Sequence, residues 1–236
     1  SGFVGIGVPD ELLHAIEERF LETGAPRNLS LVFAAGQGDG KEGGLNRLGH
    51  DGLLKRVIGG HWGLIPKIGA LATSGRIEAY NLPQGCISQI YRDVAAGRPG
   101  LMTRIGLETF VDPRNGGGRI NDQTTEEIVE LVEFGGTEQL YYHAPRLTVA
   151  LLRGTTADEQ GNVTMEREAL VLDNLAQAMA VSNSGGIVIV QVERMAAAGA
   201  LSAREVVIPG ILVDAVVLAE PQRHLQTYAT AFSHGF

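Results

Sequence analysis

Residues 1–11, SGFVGIGVPDE, space Gly2, Gly5 and Gly7 so that the main chain can turn tightly, and set Pro9 and Asp10 just ahead of an apolar helical pattern. The first turn of a helix accepts proline and favours a carboxylate, so the loop ends in a helix N-terminus. Glycine tolerates positive φ and lets another molecule approach the backbone. Free N–H groups in such a place attract phosphates, carboxylates or the oxyanion of an acyl-transfer intermediate. An ordinary strand-to-helix turn has the same spacing, and this stretch alone does not separate the two.

Outward from the loop, Leu12, Leu13, Ile16 and Phe20 recur at helical spacing until Gly24 and Pro26 stop them. Residues 29–35 form a short apolar run of strand type, followed by the glycine-dense residues 36–44. Residues 53–58 are followed by Gly59, Gly60, His61 and Trp62; 65–72 and 87–96 then read as helices, with a short strand at 77–82 between them and Pro83-Gln84-Gly85 as a break. The regular pattern returns with strands at 148–152, 187–192 and 212–218, a turn at 158–162 and a helix at 174–181. Such alternation predicts an α/β fold, one domain with an open, parallel-rich sheet flanked by helices. Residues 98–146 read as a long excursion with a helix over 125–134. Residues 1–220 are thus taken as the domain, and 221–236, polar and aromatic, as the start of a linker.

The 236 residues, 44% hydrophobic, suffice for a full core, and a net charge of −8 without a basic run excludes a general nucleic-acid binder. No apolar run is long enough to span a membrane, so a soluble chain is expected. The single cysteine, Cys86, rules out an internal disulfide framework and fits the cytoplasm, although a secreted protein without disulfides would look the same. The opening at Ser1 reads as the exit from a strand, so residues are expected upstream.

Gly38, Gly40 and Gly43 spell G-x-G-x-x-G, yet no apolar helix opens behind them and no carboxylate lies near Gly63, so dinucleotide binding is not expected. Lys41 is followed by Glu42, which breaks the P-loop pattern. The six histidines show no metal-binding spacing. His61 and Trp62, an aromatic pair after two glycines, are candidates for lining a pocket, with core capping as the alternative. Cys86 reads as a small buried thiol. Gln84 offers a neutral amide to a carboxylate or carbonyl, or else faces solvent in a turn.

SGFVGIGVP at 1–9, GLLKRVIGGHWGLIPKIG at 52–69, IEAYNLPQG at 77–85, GLETFVDPRNGGGRIND at 106–122, LLRGTTADEQGNVTM at 151–165 and IPGILVDAVV at 208–217 together resemble the family I coenzyme A transferases, especially the single-chain short-chain acyl-CoA:acetate or propionate type. The resemblance covers the first, α-subunit-like of two similar halves. It implies a sugar-phosphate-isomerase-like α/β fold and a second half, fused or separate, that carries the catalytic glutamate. Glu42-Gly43-Gly44 copies letters of that glutamate's motif but lies in a first-half segment. By resemblance, Gly2, Phe3, Val4 and Gly5 form the oxyanion loop, Gln84 faces the catalytic carboxylate, and Phe3, His61 and Trp62 border the acyl pocket. No permanently bound cofactor or metal is implied; a CoA thioester and a short-chain carboxylate are the substrates, and a homo-oligomer is expected. A thioesterase or isomerase relative and a non-catalytic binding module are the competing readings.

Overall fold

The computed structural model describes residues 2–228; Ser1 and residues 229–236, the far part of the expected linker, lie outside the described residues. Helix α1 (Asp10–Thr23) starts behind Pro9 and ends at Gly24 in the left-handed conformation, the usual helix stop. Strand β1 (Leu29–Phe33) follows. The chain then passes through the glycine-dense residues and a 3-10 turn (Leu45–Leu48) to β2 (Leu54–Gly59). Helix α2 (Pro66–Thr73), with proline at its start, crosses to β3 (Glu78–Asn81). These three strands form a parallel sheet in the order β1-β2-β3.

Helix α3 (Gln84–Ala95) begins three residues earlier than the sequence suggests, because Pro83 supplies the extended residue before it. Gln84 is therefore the first residue of a helix rather than part of a turn. Beyond α3 the expected excursion is an antiparallel sheet of β4 (Gly100–Thr103), β5 (Val129–Phe134) and β6 (Thr137–His143), in the order β4-β6-β5. The helix expected over 125–134 is not there: β5 occupies its second half and pairs with β6 from Val129↔Tyr142 to Phe134↔Thr137. Gly135 and Gly136, at φ 60° and 74°, make the turn, the double positive φ that matches strand twist in a two-residue hairpin.

Strands β7 (Val149–Arg153), β8 (Thr156–Asp158) and β9 (Val163–Thr164) lead to helix α4 (Asn174–Asn183) and strands β10 (Ile187–Val192), β11 (Arg194–Ala196), β12 (Val206–Ile208) and β13 (Ala215–Leu218). A second parallel sheet runs β13-β10-β7, and a mixed sheet runs β11-β8-β9-β12. The all-parallel sheets are thus two of three strands each, with helices packed on both, and the mixed sheet adds one short parallel pair, β8 with β11. The strand read over 212–218 is shorter, since a 3-10 turn (Gly210–Leu212) takes its first residue.

The core has three buried clusters, one on each parallel sheet and one where α3 meets the antiparallel sheet. Leu147 packs against two of them and Leu151 against the first, which joins them. Residues 221–228 fold back over the domain: His224 and Gln226 are buried, and Tyr228 packs on the first cluster. One feature has no local cause. Helix α1 has no side-chain cap of its own, and Gln191 of β10 replaces it, its Oε1 accepting from Glu11 N at 2.9 Å and Leu12 N at 3.4 Å.

Candidate active-site wall

Phe3 N–H donates to the Ile6 carbonyl at 2.8 Å and Ile6 N–H to the Phe3 carbonyl at 2.9 Å, leaving Val4 and Gly5 at the tip of a two-residue turn. Val4 has φ +59°, and Gly5 is not positive. Positive φ at the first tip residue alone is the type II′ pattern, where glycine is expected. A β-branched residue held there stores roughly 1–2 kcal/mol of strain; such strain gathers at functional sites, where the surroundings over-determine the backbone. Among the described residues, neither Val4 N–H nor Gly5 N–H has a hydrogen-bond acceptor. The Phe3 and Val4 side chains are exposed.

The glycine-dense residues hold the turn. Gly38 N–H donates to the Val4 carbonyl at 3.0 Å. Gly2 lies against the Gln37 side chain, so a Cβ there would collide. The segment doubles back through a Gly38↔Gly44 bridge. Gly44 N–H donates to buried Asp10 at 2.9 Å, and the Arg47 guanidinium grips the same carboxylate with two bonds of 3.0 Å. The apparent dinucleotide fingerprint is thus a small hairpin with a 3-10 turn behind it, and no α-helix begins there.

This hairpin leans on the carboxyl ends of the first parallel sheet, the usual place for ligands in α/β proteins. Gly36 N–H, just past β1, donates to the His61 carbonyl at 2.7 Å, just past β2. Gly60 is pressed between the Ala34 carbonyl and Gln84, with Gln84 Cα only 3.0 Å from where a Cβ would stand. The half-buried Gln84 side chain has no hydrogen-bond partner among the described residues. The turn, residues 36–38, residues 60–61 and Gln84 therefore form one continuous wall from the ends of three strands. His61 joins it through its main chain, with an exposed ring. Trp62 turns inward: its ring meets Phe33 edge-on at 5.7 Å and its N–H donates to the Gly59 carbonyl at 3.3 Å. Cys86 is buried, and burial pushes its thiol up despite a hydrogen bond with Tyr142; such a thiol is a poor nucleophile.

Behind the turn lies a cleft of about 210 Å³, bordered by Gly5, Val8, Arg153, Leu225 and Tyr228. The three arginines along it are paired, Arg47 with Asp10, Arg153 with Glu168 and Arg223 with Glu11. Sequence reading missed the roles of Arg153 and Gln191, whose bonds reach residues as far as 145 and 180 positions away. Among the described residues no group of three or more histidine, cysteine or acidic side chains is placed to hold a metal ion, and no helix is long and apolar enough to cross a membrane.

The fold and wall are those of an α/β protein with a glycine-turn site at the ends of its parallel strands. The sequence pattern of the family described as "Coenzyme A transferase" matches residues 1–219, and the chain belongs to that family. It is 48% identical over 221 residues to the caffeate CoA-transferase of Acetobacterium woodii, a match covering 92% of this chain and 42% of that protein. It is 43% identical over 221 residues to the acetate CoA-transferase YdiF of Escherichia coli K12, covering 94% and 42%. The crystal structure of the acyl-CoA transferase YdiF apoenzyme from Escherichia coli O157:H7 superposes with a TM-score of 0.93 at 42% identity, over 97% of this chain and 44% of that one. The chain spans less than half the length of these relatives.

Proposed function

We propose that this chain is the first half of an acyl-CoA:carboxylate CoA-transferase, and that its wall stabilises the oxyanions formed as CoA moves between a short-chain acyl group and an acid such as acetate. The observation that carries this reading is that the two N–H groups at the strained Val4 turn, and the Gln84 amide on the same wall, have no hydrogen-bond partner among the described residues. Amides donate hydrogen bonds but are not nucleophiles, so the attacking carboxylate comes from elsewhere. We assign it to a glutamate of the second half, fused or on a separate chain.

That carboxylate attacks the thioester carbonyl and the C–S bond breaks, giving an acyl-glutamyl anhydride and CoA thiolate. The thiolate attacks the glutamyl carbonyl, releases the first acid as its carboxylate and leaves a glutamyl-CoA thioester. A second carboxylate reverses both steps, so the exchange is ping-pong. Each addition puts negative charge on a carbonyl oxygen, where one preorganised donor contributes about 3 kcal/mol. Val4 N–H, with Gly2, Phe3 and Gly5 shaping its turn, is the donor; Gln84 orients the glutamate without neutralising it. Phe3 and the exposed His61 ring border the acyl group, with the Trp62 indole supporting them from behind. The CoA thioester is a substrate, and no permanently bound cofactor or metal takes part. Residues 221–236 lead toward the second half, the assembly is a homo-oligomer, and the compartment is the cytoplasm; neither nucleic acid nor membrane is a partner. The caffeate- and acetate-named relatives span aromatic and short acids, and the small-acid branch is assigned here from the sequence resemblance.

The test is an intact mass of the purified protein followed by acetyl-CoA plus propionate exchange on the same sample. Propionyl-CoA formed only when a second half is present supports the reading. Exchange by the 236-residue chain alone overturns the placement of the nucleophile and makes Glu42, an exposed residue paired with Lys67, the first to replace. Hydrolysis without exchange would indicate a thioesterase.

A further inference from the structure

The side chain of Arg153, at the end of β7, is 1% exposed and that of its partner Glu168 is 0% exposed. The guanidinium reaches the carboxylate at 3.0 Å through Nε. Three further N–H groups meet main-chain carbonyls: Nη1 meets Val8 at 3.3 Å and Leu225 at 2.7 Å, and Nη2 meets His224 at 3.3 Å. Val8 is four residues beyond Val4, and His224 and Leu225 belong to the segment folded back across the cleft. Gln191, at the end of the neighbouring strand β10, repeats this pattern. Its oxygen caps α1, while its Nε2 donates to the Arg223 carbonyl at 3.2 Å and lies 3.0 Å from His224 Nδ1.

Burying an arginine is costly unless its charge is paired and its donors satisfied. Here three of the donors not spent on the counter-ion are spent on two backbone segments distant in sequence. A planar, forked cation holds several carbonyls in fixed relation, which a lysine cannot. We infer that Arg153, oriented by Glu168 and seconded by Gln191, is a positioning residue for the Val4 turn, through which the second parallel sheet and the 221–228 segment fix where the turn's amides point. The kinetic part of this inference rests on the transferase reading above.

The experiment compares wild-type full-length protein with Arg153→Lys, Glu168→Gln and Val190→Ala. Val190 is fully buried in β10, and its variant matches lost stability without touching the grip. In Arg153→Lys, amide exchange at Phe3, Ile6 and Gly38, which close and hold the turn, accelerates about 10-fold or more while remaining near wild type in Val190→Ala. The kcat for CoA exchange falls about 10-fold or more with KM for the thioester within about 2-fold, because misplacement of a catalytic donor slows chemistry rather than binding. Glu168→Gln shifts the same amides and rate in the same direction, and decides the matter should Arg153→Lys not fold. Unchanged exchange at the three amides, or equal acceleration in Val190→Ala, overturns the inference. If the wild-type protein transfers no CoA with its second half present, the transferase reading falls, while the amide-exchange arm still decides the positioning role.

Discussion

At the scale of single residues, Val4 is a point of strain, its backbone at positive φ and its β-branched side chain opposing that conformation. Val4→Gly removes the left-handed strain but adds unfolded-chain entropy, so stability should change by no more than about 1 kcal/mol, with CoA exchange retained. Val4→Pro cannot adopt positive φ and has no N–H, so exchange should fall about 100-fold or more. Steady-state rates with a urea melt for each variant check both. The tight turn around Gly2 and Gly5 was legible from its glycines, whereas the positive φ at Val4 was not, and Gln84, expected in a turn, opens helix α3. Trp62 was legible only as a choice, and Phe33, supplied by a neighbouring strand, decided it for the core. Arg153 carried no local signal, because a buried arginine and a surface one look alike until their partners are known.

At the scale of elements, helices were legible where a proline or glycine bounds an apolar stripe, as in α1 and α2. The expected helix over 125–134 failed because Glu127, Glu130 and Glu133 recur every third residue and imitate a polar helix face. The pairing with β6 prevails over that pattern, and Phe134-Gly-Gly-Thr137 was the available hairpin signal. Helix α1 depends on a distant strand for its cap. Gln191→Leu leaves two first-turn N–H groups without their acceptor and should cost about 2 kcal/mol in urea denaturation. The mixed sheet carries a pH signature. Burial tends to push Glu166 up, but hydrogen bonds from Thr156 at 2.5 Å, Thr164 at 2.6 Å and Arg194 at 2.7 Å outweigh it and bring its pKa from 4.5 down to about 2. The folded value is the lower one, so this contribution is complete above about pH 4.5 and is lost as pH falls toward about 2. Urea midpoints between pH 6 and pH 3 should decline less steeply in Glu166→Gln than in wild type.

At the scale of the whole molecule, the α/β class and the alternation of strands and helices could be read from hydrophobic patterning. The division of the strands among separate all-parallel and mixed sheets could not, since strand neighbours are chosen by contacts between residues far apart in the chain. Leu151 of the second sheet packs on the first cluster, and Arg153 and Gln191 bond to Val8 and to the start of α1, which pack there too, so the two sheets should melt together. Leu152→Ala, at a fully buried site in β7, should cost about 3 kcal/mol and lower the melting temperature by roughly 6–12 °C. The loss should appear as one shifted transition in circular dichroism; two separated transitions would show that the sheets are independent units. The lone tryptophan gives the protein its own optical reporter. The Trp62 indole rests on Gly59, and the next residue, Gly60, abuts Gln84. Anything that settles against that wall should alter the intrinsic fluorescence, and occupancy can be followed by emission without a dye.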